Sequence, residues 1–197
     1  MSRPQCPICQ RPLSHCLCSL IPDLASRTQV LLLQHPSEAG HALNTARLVA
    51  LGLKTAELRV GELFDDLPED GLENYLLFPG EGAVPLSTLA SGSAPIRLIV
   101  PDGTWRKARK LLHLNPVIAD LPRVALPEGL NSRYRVRKAS QPGALSTIEA
   151  VVAALNILEG AGKFDPLLRP FEVMIDAQIE AMGADVYQRN HAERAGN

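Results

Sequence analysis

The sequence lacks the features that mark several large classes of protein. It has no apolar run near the roughly 18 residues that span a membrane, and its first residues contain no apolar signal region. Two glycine-rich nucleotide-binding loops, Gly-x4-Gly-Lys-Ser/Thr and Gly-x-Gly-x2-Gly, are absent, and no local signature supports Ser-His-Asp chemistry. We therefore expect a soluble, cytoplasmic protein with no membrane partner.

Neither sign of charge dominates, because the formal net charge of the 197 residues is −1. The charges are nevertheless segregated: residues 57–81 contain eight acids and one base, whereas residues 103–138 contain nine bases and two acids. Such segregation can direct a basic surface at an anion while the whole chain stays near neutral. Hydrophobic residues at 46% and charged residues at 21% exclude wholesale disorder and predict one ordinary core.

No cysteine follows residue 18, so all four lie in one short N-terminal segment. The four are Cys6, Cys9, Cys16 and Cys18, spaced Cys-x2-Cys-x6-Cys-x-Cys. Two disulfides would link only this segment, whereas four thiolates close in sequence can surround one tetrahedral Zn²⁺. We predict a structural zinc knuckle over residues 1–25; a disulfide pair, an iron–sulfur cluster and free thiols are the alternatives.

Apolar and alternating runs predict strands that alternate with helices. The predicted strands cover 28–34, 56–60, 74–78, 96–100, 123–126 and 134–137, and the predicted helices cover 44–51, 105–114, 146–158 and 171–182. This alternation predicts an α/β fold with a largely parallel sheet over residues 26–187, followed by a loose polar tail over 188–197. Ligands of such sheets bind at the carboxyl ends of strands, where loops 35–40, 79–82 and 101–105 are expected.

The loop over residues 102–105 lies between a hydrophobic strand and a helix. Its Gly103 permits a tight turn or the close approach of a ligand, and Thr104 suits a helix N-cap. Asp102 and Thr104 could be caps alone, with Trp105 as a core anchor. A helix N-terminus is also where the anionic groups of ligands dock, so both interpretations stay open.

Seven bases follow that loop on two predicted elements, a helix with no interleaved acid and a strand in which arginines alternate. They are Arg106, Lys107, Arg109 and Lys110 on the helix, and Arg133, Arg135 and Arg137 on or beside the strand. Alternation places the three arginines on one face of a strand. These features predict a phosphate-binding surface, and a merely solvated basic face is the alternative. Further on, Ser146 and Glu149 have the spacing of a capping box, which accounts for them without a ligand.

Six motifs, taken together and in order, resemble the DTW-domain family, which is named for its Asp-x-Thr-Trp motif. They are Cys6-x2-Cys9 with Cys16-x-Cys18; His35-Pro36-x-Glu38 with Asn44-Thr45-Ala46-Arg47-Leu48; Phe78-Pro79-Gly80-Glu81; Asp102-Gly103-Thr104-Trp105 with Arg-Lys-Ala-Arg-Lys after it; Ser132-Arg133-Tyr134-Arg135-x-Arg137; and Leu145-Ser146-Thr147-x-Glu149-Ala150. The resemblance spans residues 6–158. Each motif alone is weak, but six in this order are specific.

The resemblance implies an S-adenosylmethionine-dependent tRNA-uridine aminocarboxypropyltransferase with a knotted SPOUT-like α/β fold and helices on both faces of the sheet. In the bacterial branch of the family, N3 of a variable-loop uridine receives the 3-amino-3-carboxypropyl group, and 5′-methylthioadenosine is released. By resemblance, the cofactor-binding residues are Phe78, Pro79, Gly80, Glu81, Asp102, Gly103, Thr104, Trp105, Leu145, Ser146 and Thr147. The basic elements would hold tRNA. The oligomeric state is left open by the sequence, with a monomer favoured.

This chemistry suggests roles for two kinds of residue. Uridine N3–H is a weak acid, so a base within hydrogen-bond reach would assist, and Asp102 is the candidate. Its carboxylate could instead attract the sulfonium. An arginine among positions 133, 135 and 137 could bind the methionine carboxylate. A SPOUT-type RNA methyltransferase and a non-catalytic zinc-bearing RNA-binding module remain the rival functions.

Overall fold

Strands and helices alternate along the computed structural model, which describes residues 4–90, 92, 94–134 and 144–188. The strands are β1 (Gln29–Gln34), β2 (Ala56–Val60), β3 (Glu73–Leu77), β4 (Val84–Pro85), β5 (Ile96–Asp102) and β6 (Arg123–Ala125). The helices are α1 (Pro36–Ala39), α2 (Ala46–Gly52), α3 (Trp105–Leu114), α4 (Pro116–Ala119), α5 (Thr147–Glu159), α6 (Leu168–Met182) and α7 (Ala184–Tyr187). Short 3₁₀ turns cover Leu13–His15, Cys18–Leu20, Leu86–Leu89 and Asp165–Leu167.

The six described strands form one sheet in the order β2-β1-β5-β3-β6-β4, and every neighbouring pair is parallel. This confirms the predicted α/β class. β1 is a continuous apolar run because both of its faces are covered, as is usual in parallel sheets. The register places Gln34, the last residue of β1, opposite Asp102, the last residue of β5.

Helices cover both faces of the sheet. On one face, Val30 and Leu32 of β1 belong to the larger core together with buried residues of α2, α5 and α6. On the other face, Leu31 and Leu33 pack with Ile99 and with buried residues of α3 and α4. Successive residues of β1 therefore enter opposite cores, as the two-residue period of a strand requires.

Four details differ from the sequence expectations. Residues 35–40 were expected to be a loop but contain α1, because Pro36 suits the first helical position and His35 Nδ1 accepts a bond from the Ser37 N–H at 3.3 Å. The last long helix begins at Leu168 rather than at 171, since Pro170 is tolerated in a first turn.

The strand β4 was not expected. It has two residues and lies at the edge of the sheet, where a strand accepts proline. Of the predicted strand 134–137, Tyr134 lies in no strand, and 135–137 lie outside the described residues.

The N-terminal segment packs on the main core through a few contacts. Leu17 is buried in the larger core. The Arg11 guanidinium donates to the Ala42 carbonyl at 2.7 Å and contacts Met174 Sδ at 2.5 Å. This guanidinium therefore connects the cysteine-rich segment both to the loop before α2 and to α6. Among the described residues, no helix is long and apolar enough to span a bilayer.

Candidate functional site

A cavity of about 630 Å³ opens at the carboxyl ends of β3, β5 and β6. Its walls are largely apolar, and its volume is within the range of small-molecule sites. The described residues that line it are Leu77, Phe78, Pro79, Val100, Pro101, Gly103, Trp105, Ala108, Leu145, Thr147, Ala144, Ala150 and the continuous segment 124–131. The cavity therefore lies at the end of the sheet where ligands of α/β proteins bind.

The structure brings most of the predicted cofactor loops together here. Six of the predicted cofactor residues line the cavity: Phe78, Pro79, Gly103, Trp105, Leu145 and Thr147. The other five are not in the wall themselves: Gly80, Asp102, Thr104 and Ser146 are each next in sequence to a lining residue, and Glu81 is two residues from one. Segments separated by more than 60 residues in sequence therefore meet at one cavity.

Sequence reasoning missed one wall of the cavity, the segment 124–131. This segment includes the end of β6 and the turn that follows it. A signal was available, because the strand 123–126 was predicted and the carboxyl-end rule applies to it as it does to β3 and β5.

The loop that joins β5 to α3 has the geometry that its sequence suggests. Thr104 is the N-cap of α3, and its hydroxyl accepts a bond from the Lys107 N–H at 3.4 Å. Gly103 has a φ of +153°, and a Cβ there would lie 3.1 Å from the Lys107 Cβ, so glycine is required on both counts. The Trp105 ring lies 5.3 Å from the Phe78 ring at an angle of 57°, and both rings line the cavity.

Asp102 is held in place at the end of β5. Only 8% of its surface is exposed. The Thr147 hydroxyl donates to Oδ1, and Gln34 Nε2 donates to Oδ2 at 2.6 Å. Its carboxylate is thus fixed between the end of β1 and the first residue of α5.

The Gln34 amide is itself fixed by Asn44, which sequence reasoning did not select as a site residue. Gln34 Nε2 donates to Asn44 Oδ1 at 3.1 Å, and Asn44 Nδ2 donates to Gln34 Oε1 at 3.3 Å. Asn44 Nδ2 also donates to the carbonyls of Glu38 and Ala39, each at 3.2 Å. A chain of two amides, the buried Gln34 and the half-buried Asn44, thus connects Asp102 to α1. The position of Gln34 opposite Asp102 depends on the strand register, which the sequence does not display.

Glu149 is a second buried carboxylate beside the cavity. The predicted capping box is present, with Ser146 N–H donating to Glu149 Oε2 at 2.8 Å. The same carboxylate accepts from the Ser132 hydroxyl at 2.9 Å and from the Arg133 N–H at 2.5 Å. It therefore ties the segment before residue 135 to the start of α5, in addition to capping the helix.

The four bases of helix α3 form two groups, the ion-paired lysines and the arginines. Lys107 pairs with Glu38 at 2.6 Å and Lys110 pairs with Glu62 at 2.7 Å, while His35 Nε2 lies 2.8 Å from the same Glu62 oxygen. The hydrogen bond from Lys110 lowers the pKa of the Glu62 carboxyl.

The arginines of α3, Arg106 and Arg109, are exposed and have no ion pair within the part of the chain that the structure describes. Arg133, in contrast, pairs with Glu172 at 2.5 Å. Arg135 and Arg137 lie outside the described residues.

The four cysteines form a compact cluster without a disulfide. Cys6 Sγ lies 3.6 Å from Cys18 Sγ, Cys9 Sγ lies 3.8 Å from Cys16 Sγ, and all four sulfurs are within 4.8 Å of one another. A tetrahedral ion with Zn–S bonds of about 2.3 Å separates its sulfur ligands by about 3.8 Å. Backbone hydrogen bonds from Cys9 and Ile8 lower the pKa of Cys6 to about 6, and burial raises the pKa of Cys18 to about 12. The donor set fits one metal ion.

Comparison with known proteins identifies relatives over most of the chain. A "tRNA-uridine aminocarboxypropyltransferase 2" of Drosophila melanogaster is 31% identical over 90% of this chain and 76% of its own length. The Macaca fascicularis protein of the same name is 30% identical over 90% of this chain and 64% of its own length. "tRNA-uridine aminocarboxypropyltransferase A" of Arabidopsis thaliana is 27% identical over 80% of this chain and 74% of its own length. No solved structure matches the chain significantly.

The family comparison agrees with the motifs. The profile of the DTW domain matches residues 3–179, which include the cysteine cluster and every loop that lines the cavity. The resemblance inferred from six short motifs is thereby confirmed, and the chain belongs to the DTW-domain family.

Proposed function

We propose that this protein is a cytoplasmic, S-adenosylmethionine-dependent tRNA-uridine aminocarboxypropyltransferase. The observation that carries the proposal is its identity of about 30% with curated transferases of that name over 90% of the chain. The parallel sheet with helices on both faces and a ligand-sized cavity is compatible with the knotted SPOUT-like topology that the family resemblance implies. We propose that the fold contains this knot and that the modified nucleotide is a uridine of the tRNA variable loop.

The reaction is a substitution at carbon. N3 of the uridine forms a bond to the methionine γ-carbon, the bond between that carbon and sulfur breaks, and its electron pair stays on sulfur as 5′-methylthioadenosine leaves. The N3 proton passes to a base. The protein must therefore present the γ-carbon to the nucleophile in preference to the methyl group, which is a matter of positioning.

The cavity residues would hold the donor. The apolar walls and the adjacent rings of Phe78 and Trp105 suit the adenosine portion, and Gly103 permits a close approach to the backbone. The loops 78–81, 102–105 and 145–147 complete the proposed site. Arg135 or Arg137 would pair with the donor carboxylate, because Arg133 is occupied by Glu172.

Asp102 would accept the N3 proton. Its orientation is fixed by Gln34 and Thr147, which is what a base at a defined distance requires. The alternative role, attraction of the sulfonium, makes a different prediction. A base can be removed without loss of donor affinity, whereas a carboxylate that attracts the sulfonium cannot.

The tRNA phosphates would bind the bases of α3. Arg106 and Arg109 are available there, whereas Lys107 and Lys110 are paired with Glu38 and Glu62. Both arginines follow the cavity loop directly, so a phosphate bound to them lies near the carboxyl end of β5. We therefore assign the stronger phosphate contacts to the arginines and weaker ones to the lysines.

The cysteine cluster would hold one structural Zn²⁺ in a knuckle over residues 1–25. The four thiolates fill every position of a tetrahedral ion, so the site is closed and has no catalytic position. Four thiolates and one dication leave a formal charge of −2, which the Arg11 cation, two residues after Cys9, would partly offset. The ion would contribute folding free energy to a segment with little core of its own.

Analysis of the nucleoside by-product tests the proposal. Purified protein is incubated with S-adenosylmethionine and unmodified tRNA, and the adenosine-containing products are separated by chromatography. The proposal predicts 5′-methylthioadenosine in amounts equal to the modified tRNA. S-adenosylhomocysteine would identify a methyltransferase, and the absence of both products under conditions where tRNA binds would identify a non-catalytic RNA-binding protein.

A further inference from the structure

Glu128 is the one charged side chain among the described residues that line the cavity. It follows β6 in the wall that sequence reasoning missed, and it is exposed, so a ligand can reach it. Gly129 has a φ of +81°, the conformation that the third residue of a type II turn needs, and this turn places Glu128 at its tip. Asn131, a few residues further, adds a polar amide to the same wall.

Glu128 and Asp102 lie at different places along the edge of the sheet. Asp102 ends β5, Glu128 follows β6, and β3 lies between these strands. The ends of β5 and β6 are two strand spacings, about 10 Å, apart, so Glu128 does not share the position of Asp102. Glu128 is therefore available for a part of the ligand other than the one that meets Asp102.

The charges on the donor indicate which of its groups Glu128 binds. The donor carries a sulfonium, an α-ammonium and a carboxylate, whereas the product 5′-methylthioadenosine is neutral. The sulfonium is surrounded by carbon and has no N–H to donate, whereas an ammonium group offers three charge-assisted donors to a carboxylate. Since the remaining described lining is uncharged, the Glu128 carboxylate would attract the donor and leave the product unaffected.

We propose that Glu128 binds the α-ammonium group of the donor and thereby discriminates the charged donor from the neutral nucleoside product. This inference rests on the proposed function, because it takes S-adenosylmethionine as the cavity ligand. It assigns a recognition role to a segment that no motif had marked.

Isothermal titration calorimetry on three ligands tests the assignment. Wild type and Glu128→Gln are titrated with S-adenosylmethionine, with S-adenosylhomocysteine, which keeps the ammonium but has a neutral sulfur, and with 5′-methylthioadenosine, which has neither charge. Glu69→Gln is the matched control, since Glu69 is also exposed but precedes β3 at the opposite end of the sheet. Glutamine keeps the size of the side chain, so an exposed position should fold normally.

We expect Glu128→Gln to weaken the binding of both amino-acid-bearing ligands by about two- to fivefold, the upper part of the range of a solvent-exposed charge pair, and to leave 5′-methylthioadenosine binding unchanged. Glu69→Gln should change none of them. An equal loss for all three ligands, a loss confined to S-adenosylmethionine, or no loss at all would overturn the assignment while the proposed function stands. If wild type binds no S-adenosylmethionine, both the assignment and the proposed function fail.

Discussion

The arginines and the lysines of helix α3 allow a matched test of how tRNA binds. Arg106→Ala with Arg109→Ala removes two exposed positive charges, and Lys107→Ala with Lys110→Ala removes two that are paired with Glu38 and Glu62. Both double variants change the net charge equally and act on the same ten-residue helix. Any difference between them therefore reports on contacts and not on total charge.

The expected magnitude follows from counterion release. Each phosphate contact adds about 0.9 to the slope of log affinity against log salt for a duplex and about 0.7 for a single strand. If both arginines contact phosphates, their removal should make the slope less steep by about 1.4 to 1.8. The lysine variant should change the slope by less than about half as much, because Lys107 and Lys110 lie against carboxylates at 2.6 and 2.7 Å.

Fluorescence anisotropy of labelled tRNA over a series of salt concentrations measures both slopes. Donor affinity and thermal melting, recorded beside them, confirm that each variant is folded. Equal changes in the two variants, or a larger change in the lysine variant, would refute the assignment of the stronger phosphate contacts to the arginines. An unchanged slope in both would mean that α3 is only a solvated face.

Four further outcomes are expected. Cys9→Ser should lower the zinc content measured by mass spectrometry and lower the melting temperature, because structural metal binding contributes folding free energy; full zinc occupancy would contradict the closed site. Asp102→Asn should reduce turnover by about a hundredfold or more with donor affinity unchanged, since asparagine cannot accept the proton; weaker donor binding in calorimetry would instead favour attraction of the sulfonium. Glu149→Gln should cost about 2 kcal/mol in urea denaturation, because the new amide N–H groups face the donors of Ser146 and Ser132; an unchanged midpoint would argue against that network. The hydrogen bond from Arg97 lowers the pKa of Asp70 in the folded protein, so its stabilisation is present above the unfolded pKa and lost as pH falls through the folded one; Asp70→Asn should lower the melting temperature at neutral pH and flatten its decline in acid, and parallel wild-type and variant curves would contradict this.

The elements of the fold were predictable because their signals are local. The continuous apolar run of β1 predicts a buried strand. Thr104 and the capping box of α5 mark where two helices begin, and Pro116 marks where α3 ends. Two of the differences, the helix α1 and the earlier start of α6, lie at Pro36 and Pro170, which the first turn of a helix accepts.

The site was predictable only as a set of loops. Of the six predicted residues that meet at the cavity, four follow β3 or β5, because parallel strands end at one edge of the sheet, and two lie at the start of α5. The ion-pair partners of the α3 lysines could not be predicted from the sequence, since Glu38 is 69 residues from Lys107 and Glu62 is 48 residues from Lys110. The position of Gln34 opposite Asp102 likewise depends on the strand register, which a single sequence does not display.

The most direct test of the proposed activity follows the fate of two labels. Unmodified tRNA is incubated with the protein and with S-adenosylmethionine that carries radioactive carbon either in the methionine carboxyl group or in the sulfonium methyl group. Transfer of the aminocarboxypropyl group predicts that tRNA acquires the carboxyl label alone, while the methyl label leaves as 5′-methylthioadenosine. Methyl label in the tRNA, or no label from either donor, would contradict the proposed function.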